Sequence, residues 1–242
     1  MVLRIWCFYY KPQYNLNTSI MSDILSQIAY CVEFGKINNN SPYPPDMRGQ
    51  DGADELTRQA IESGIDPRDI LSRGLVIGME KIGIKFRDNK VFVPQVLMAA
   101  KAMSTAMAHL KPFFVSGEVK RKGTFIIGTV AGDLHDIGKN LVAMMVEGNG
   151  FEVIDLGTDV KSEKFLQALK EKPGSVVGMS ALLTTTMVNM EKIVKDIREQ
   201  VPKTLILIGG APLNSDFCKK IGADFYARDP QGAVEYLNKN VA

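Results

Sequence analysis

GTFIIGTVAGDLHDIGKNLVAMMVEGNG, residues 123–150, holds an apolar run, a polar loop and a renewed apolar periodicity in that order. TFIIGTV reads as a buried strand and the stretch from about Gly138 as a helix, so the loop between them stands at a strand's carboxyl end. Four further strands follow: FEVIDLG (151–157), SVVGMS (175–180), TLILIGG (204–210) and ADFYA (223–227). Segments opening near Lys161, Thr186, Asn214 and Asp229 read as helices. Apolar strands alternating with helices predict a parallel sheet covered on both faces. Five such units over residues 121–242 predict an α/β, flavodoxin-like (Rossmann-type) doubly wound five-stranded parallel sheet, a fold that takes ligands at the carboxyl ends of its strands.

Upstream of the polar linker SGEVKRKG (116–123) the spacing is helical. Ile24, Ile28 and Cys31 share a face, with Ser22 as the expected N-cap. KINNNSPYPPDMRGQDGA (36–53) is a polar, Pro-rich loop, followed by a helix at about 52–63. Asp66-Pro67-Arg68-Asp69 reads as N-cap, Pro at the first helical position and an acidic third position. Leu71, Leu75, Gly78 and Ile82 form the buried stripe of that helix. Pro94 opens the fourth helix and Pro112 is expected to end it, with Val96, Ala99, Met103, Met107 and Leu110 on one face. An N-terminal four-helix bundle over residues 22–115 is the expectation. Residues 1–20 read as an upstream extension, expected to be disordered. His109 reads as a partly exposed structural histidine.

Charge and composition exclude some functions. The chain has 242 residues, 45% of them hydrophobic, and 29 basic against 27 acidic residues. That balance gives no footprint for nucleic acid. No run of 18 apolar residues calls for a membrane span. Three cysteines far apart form no CxxC pair or disulfide framework, which favours a reducing, cytoplasmic location.

The loop after the first strand holds Asp133, His135, Asp136 and Gly138, spaced Asp-x-His-x-x-Gly. Taken alone, this reads first as a loop histidine bonded to a neighbouring carboxylate. Two further elements change that. Ser180-Ala181-Leu182 ends the third strand and Gly209-Gly210 ends the fourth. The gaps are 41 residues from Gly138 to Ser180 and 26 from Leu182 to Gly209.

These elements and gaps resemble the cobalamin-binding domain shared by methionine synthase and the corrinoid proteins of methyltransferase systems. DNKVFVPQVLMAAKAM (88–103) is similar to the helical cap of the same proteins, so the resemblance spans roughly residues 22–242. It implies a corrinoid cofactor, cobalamin in its methylcobalamin form, with cobalt bound from below by His135. Asp133 would accept from the other ring nitrogen, and Thr186 stands where methionine synthase has the serine of that relay. Ser180 would bond the displaced nucleotide base, with Thr184 beside it. Gly128, Leu182, Gly209 and Gly210 would form the slot for the nucleotide tail. Leu134, Asp136 and Ile137 lie in the cofactor loop, beside Gly138, Lys139 and Asn140. Phe92 matches an aromatic that covers the upper face of the corrin, although an aromatic at a helix start is as readily core.

The resemblance implies a methyl-carrying subunit that is not a complete enzyme. Its partners would be a substrate:corrinoid methyltransferase, a corrinoid:acceptor methyltransferase using tetrahydrofolate or coenzyme M, and a reductive activase. Adenosylcobalamin mutase subunits, a rival reading, show Gly and Arg where Leu134 and Ile137 stand. A B12-dependent regulator would need a DNA-reading module. A flavodoxin-like domain without a corrinoid would not need the triple motif.

Overall fold

The structure, a computed structural model, describes residues 16–241, with side chains from residue 23. The bundle is built from α1 (Leu16–Phe34), α2 (Ala53–Glu62), a helical run from α3 (Pro67–Asp69) through a π-helical turn (Ile70–Leu75) into α4 (Val76–Arg87), and α5 (Val93–Val115). Asp66 caps α3 as expected, its side chain accepting from Arg68 N at 2.8 Å. Gly78 lets α4 close on α1, because a Cβ there would stand 2.6 Å from Ala29 O. Cys31 and Met103 are buried, while Met107 is half-buried beside α6.

Three helix expectations need correction. α1 begins at Leu16, so Ser22 is interior and is no cap, and the helix takes in residues 16–20 of the expected extension. No Gly or Pro lies between Leu16 and Phe34 to stop the helix. Residues 1–15 of the expected extension lie outside the described residues. Pro112 sits inside α5 instead of ending it. So close to the helix end, its missing N–H and ring clash disturb only the last turns, and Ser116 N still bonds Pro112 O at 2.9 Å. The π-helical turn in the third helical run was not anticipated.

The second half alternates β1 (Thr124–Thr129), α6 (Ile137–Gly148), β2 (Glu152–Asp155), α7 (Ser162–Glu171), β3 (Val176–Ser180), a 3-10 turn (Thr184–Thr186) into α8 (Met187–Gln200), β4 (Ile206–Gly209), α9 (Ser215–Ile221), β5 (Phe225–Tyr226) and α10 (Pro230–Asn240). All strands pair parallel in the order β2-β1-β3-β4-β5. This is the flavodoxin-like order, and the chain switches direction between β1 and β3. Register aligns Thr129 with Ser180 and Ser180 with Gly209, so the three motif-bearing strands end in one row.

Strand alternation sorts the core. Phe125 and Ile127 of β1 face α6 and α10, and that core is continuous with the bundle's. Ile126 and Val130 face α7 and α8. The bundle therefore rests on the α6–α10 side of the sheet, where Met79 meets Gly148 and Arg87 pairs with Glu235 at 2.7 Å. Among the described residues no helix is long and apolar enough to cross a membrane.

Candidate functional site

Asp133 is the most heavily bonded side chain at the strand ends, and it is fully buried. Its Oδ1 accepts from His135 N at 3.1 Å and from His135 Nδ1 at 2.8 Å. Its Oδ2 accepts from Leu182 N at 2.7 Å, Leu183 N at 3.1 Å and Thr186 Oγ1 at 3.0 Å. Burial acts to raise this carboxyl, but the Leu182 amide, the imidazole and the remaining amides outweigh it and hold the group well below the ordinary carboxylate range. A carboxylate can only accept, so the neutral ring of His135 carries its proton on Nδ1 and leaves the lone pair on Nε2. The His135 side chain is 52% exposed, and Nε2 has no partner among the described residues.

Thr186 is less committed than its place in the relay suggests. Its hydroxyl also lies 2.8 Å from Leu183 O, and its single proton must serve both acceptors. Three braces were missed in the sequence. Thr129 Oγ1 donates to His135 O at 2.9 Å. Asn189 Nδ2 donates to Ala131 O at 2.7 Å, from α8. Asp159 Oδ1 accepts from Gly132 N at 2.7 Å, and its own amide donates to Asp133 O at 3.0 Å. Asp159 does so at φ +52, in the left-handed region that Asp tolerates better than most residues. None of the three lies within the motif, so its spacing gave no signal for them.

The loop of His135 and the segment leading from β3 into α8 expose large apolar side chains: Leu134 (74% exposed), Ile137 (71%), Leu182, Leu183 and Val188. Exposed clustering of this kind marks a surface made to be covered. Beside it a slot of about 300 Å³ opens between the sheet and helices α6 and α10. Gly138, Ser180, Gly209 and Gly210 line it, with Phe125, Ile127, Leu141 and Gly178 deeper and Phe86 reaching in from α4. The Ser180 hydroxyl has no hydrogen-bond partner among the described residues. A Cβ on Gly138 would meet no protein atom within 4 Å, so this glycine leaves space that the fold itself does not use.

Two glycine assignments change. Gly128 faces away from the slot: a Cβ there would stand 2.9 Å from Phe165 on α7. Alternation along β1 puts Ile127, not Gly128, on the slot side. Gly210 borders the slot, but what it requires is backbone, with φ +136 and a would-be Cβ 1.9 Å from Ala181 O. Asp136 is the N-cap of α6 and accepts from Asn140 Nδ2 at 3.0 Å. Lys139 is buried and ion-paired with Asp155. Thr184 opens the turn before α8 and is exposed. Phe92 is 69% exposed at the start of α5. The second histidine, His109, pairs with Asp54 at 2.6 Å inside the bundle, away from this site.

No group of three or more His, Cys, Asp or Glu side chains that could hold a metal ion occurs among the described residues. A metal at His135 would therefore have one protein ligand and must bring its other ligands with it. A bare imidazole nitrogen on a loop with exposed apolar side chains, next to a slot the fold does not fill, fits a metal held in a flat organic macrocycle with a tail.

Comparison with known proteins points the same way. Residues 123–235 match the family described as B12 binding domain, and residues 49–111 match a second family of that description. Trimethylamine corrinoid protein 1 of Methanosarcina acetivorans is 40% identical over 186 residues, covering 75% of this chain and 86% of that one. A corrinoid protein of Desulfitobacterium hafniense strain Y51 is 38% identical over 190 residues, covering 76% and 88%. Among solved structures, a cobalamin-binding protein of Desulfitobacterium hafniense DCB-2 is similar with a TM-score of 0.70 at 27% identity, over 92% of this chain and 98% of that one. A chain of the methanol:cobalamin methyltransferase complex of Methanosarcina barkeri is similar with a TM-score of 0.75 at 26% identity, over 98% and 94%.

Proposed function

The chain belongs to the corrinoid proteins of methyltransferase systems, and we propose that it is the methyl-carrying subunit of one, with His135 as the lower ligand of the cobalt. It binds cobalamin through its B12 binding domain. The observation that carries the ligand assignment is the Asp133–His135 bond of 2.8 Å, which fixes the tautomer and bares Nε2. An imidazole oriented by a carboxylate in this way is a stronger base toward a metal.

When bound, the corrinoid supplies the cobalt chemistry that takes up and gives up a methyl group. The chain's residues do the rest. Leu134, Ile137 and Leu182 carry the underside of the macrocycle, with Leu183 and Val188 extending that platform. Ser180 offers its free hydroxyl to the base of the nucleotide tail, and Gly138 and Gly209 keep the slot open, with Thr184 and Asp136 at its rim. Phe92, at the exposed start of α5, is the candidate cover for the opposite face. Asp133 holds the ring through Nδ1, so Nε2 stays directed outward for the metal. The bundle (22–115) acts as the cap and residues 121–242 as the cofactor domain.

The partners follow from a chain with one cofactor site and no second substrate domain among its described residues. A substrate:corrinoid methyltransferase serving methylamines or methanol loads the carrier. A second methyltransferase would unload it to tetrahydrofolate or coenzyme M, and a reductive activase is the third proposed partner. The cytoplasm is the proposed location. Loading the protein with cobalamin and recording the Co(II) EPR spectrum tests the ligand. Superhyperfine splitting from a histidine nitrogen is expected in the wild type and lost in His135→Ala, whose fold should be kept because Asp133 retains four other donors. The same nitrogen signature in His135→Ala would overturn the assignment.

A further inference from the structure

The mouth of the slot carries one charge that the protein does not use. Three side chains charged at neutral pH line the slot: Lys139, Asp229 and Arg228. Lys139 is tied to Asp155. Asp229 is the N-cap of α10 and accepts from Gly232 N at 2.8 Å. Arg228, between β5 and α10, is exposed, and its guanidinium has no ion-pair or hydrogen-bond partner among the described residues. In the same lining, the backbone amides of Gly210 and Ala211 also donate to no acceptor among the described residues. The glycine conformation at φ +136 turns the chain there.

A free guanidinium and two free amides in the lining of one slot, whose remaining walls are largely apolar, form an arrangement for a single anionic group. The nucleotide tail of a complete corrinoid contains one such group, a phosphodiester. Its planar base needs the apolar depth that Phe125, Leu141 and Phe86 supply. Resting on the corrinoid reading above, we propose that Arg228, with the amides of Gly210 and Ala211, holds the phosphodiester of the tail. Arg228 is then a specificity-determining residue that favours complete corrinoids over those lacking the nucleotide. A guanidinium suits this task because its forked donors bind two oxygens of one phosphate.

The test is a binding titration, followed by absorbance, of aquocobalamin and of diaquacobinamide, which lacks the nucleotide, against wild type, Arg228→Gln and Arg228→Lys. Arg228→Gln should weaken cobalamin about tenfold, the loss of one charge-assisted contact at a partly solvated site. It should leave cobinamide affinity unchanged, and Arg228→Lys should fall between wild type and Gln. Added salt should erode the wild-type preference for cobalamin but not that of Arg228→Gln. Equal cobalamin affinity in wild type and Arg228→Gln would overturn the inference, as would an equal loss for both ligands. Wild-type protein that bound neither ligand would overturn the corrinoid reading itself, a result distinct from either of those.

Discussion

Asp133→Asn is the substitution that asks most of the site. Asparagine keeps the size but has one acceptor oxygen and one donor amide. The carboxylate now faces two sets of donors: His135 N and Nδ1 on one oxygen, Leu182 N, Leu183 N and Thr186 Oγ1 on the other. If the Asn oxygen serves the second set, its NH2 faces the imidazole. Nδ1 must then accept, the ring proton moves to Nε2, and the lone pair a metal needs is gone. If the oxygen serves the imidazole, the NH2 confronts two backbone N–H groups that have no other partner. Either arrangement also removes the charge from a fully buried cluster of donors. Breaking such a cluster costs about 3 kcal/mol, the low end of what losing one partner of a buried charged pair costs. Thr186→Val is the control. Four donors remain on Asp133 and Leu183 O keeps its bond from Thr186 N at 3.1 Å, so no partner is orphaned and the loss should be about 0.5–1 kcal/mol. Urea denaturation of the cofactor-free proteins measures both values. EPR of the Co(II) forms should show histidine nitrogen splitting retained in Thr186→Val and lost in Asp133→Asn. An Asn variant with wild-type splitting and a stability loss under about 1 kcal/mol would refute the tautomer argument.

Two glycines that share a rim should respond in opposite ways. Gly210→Ala should cost about 3 kcal/mol of cofactor-free stability, because of its φ and the approach to Ala181 O. Gly138→Ala should cost nothing, or gain up to about 0.5 kcal/mol of helix propensity, yet weaken cobalamin binding measured by absorbance titration. Wild-type affinity in Gly138→Ala would show that the open space is not the tail's path. The depressed Asp133 carboxyl sets the acid behaviour. Its folded value lies below its unfolded one, so its stabilisation is complete above the unfolded value of about 4 and is lost as pH falls toward the folded value. The stability gap between wild type and Asp133→Asn, read from urea midpoints, should therefore narrow as pH drops from about 5 to 3. A gap constant over that range would contradict the assignment.

The strands and most helix starts were legible because each has a local cause. Lys161, Asn214 and Asp229 fall at the N-caps of α7, α9 and α10, where the apolar period changes. Ser22 is no cap because no Gly or Pro lies between Leu16 and Ser22 to stop a helix, so α1 runs back to Leu16. Gly128 failed for a different reason. A glycine near a ligand motif suggests a cleared path, but which face it clears depends on strand parity, and β1 turns it toward Phe165. Thr129, Asp159 and Asn189 escaped because their work is done through backbone atoms of other residues. A sequence states which side chains exist, not whose carbonyl they meet after folding.

Those three braces also explain why the motif rides on β1. A loop following an edge strand has one neighbouring strand end to lean on. β1 lies between β2 and β3, so its loop is flanked by two. Asp159, just beyond β2, holds Gly132 and the Asp133 carbonyl from one side. From the other side, Leu182 and Leu183, just beyond β3, hold the Asp133 carboxylate, Ser180 O accepts from Val130 N, and Asn189 at the start of α8 holds Ala131. Thr129 then fixes the carbonyl of His135 itself from within β1. A histidine that is to serve as a metal ligand must hold its direction, and an exposed histidine on a free loop would not. The switch point of a parallel sheet is where a short loop can be gripped from both sides while its tip stays open to a large ligand. The exposed imidazole and the buried carboxylate, two residues apart in sequence, are the two ends of that arrangement.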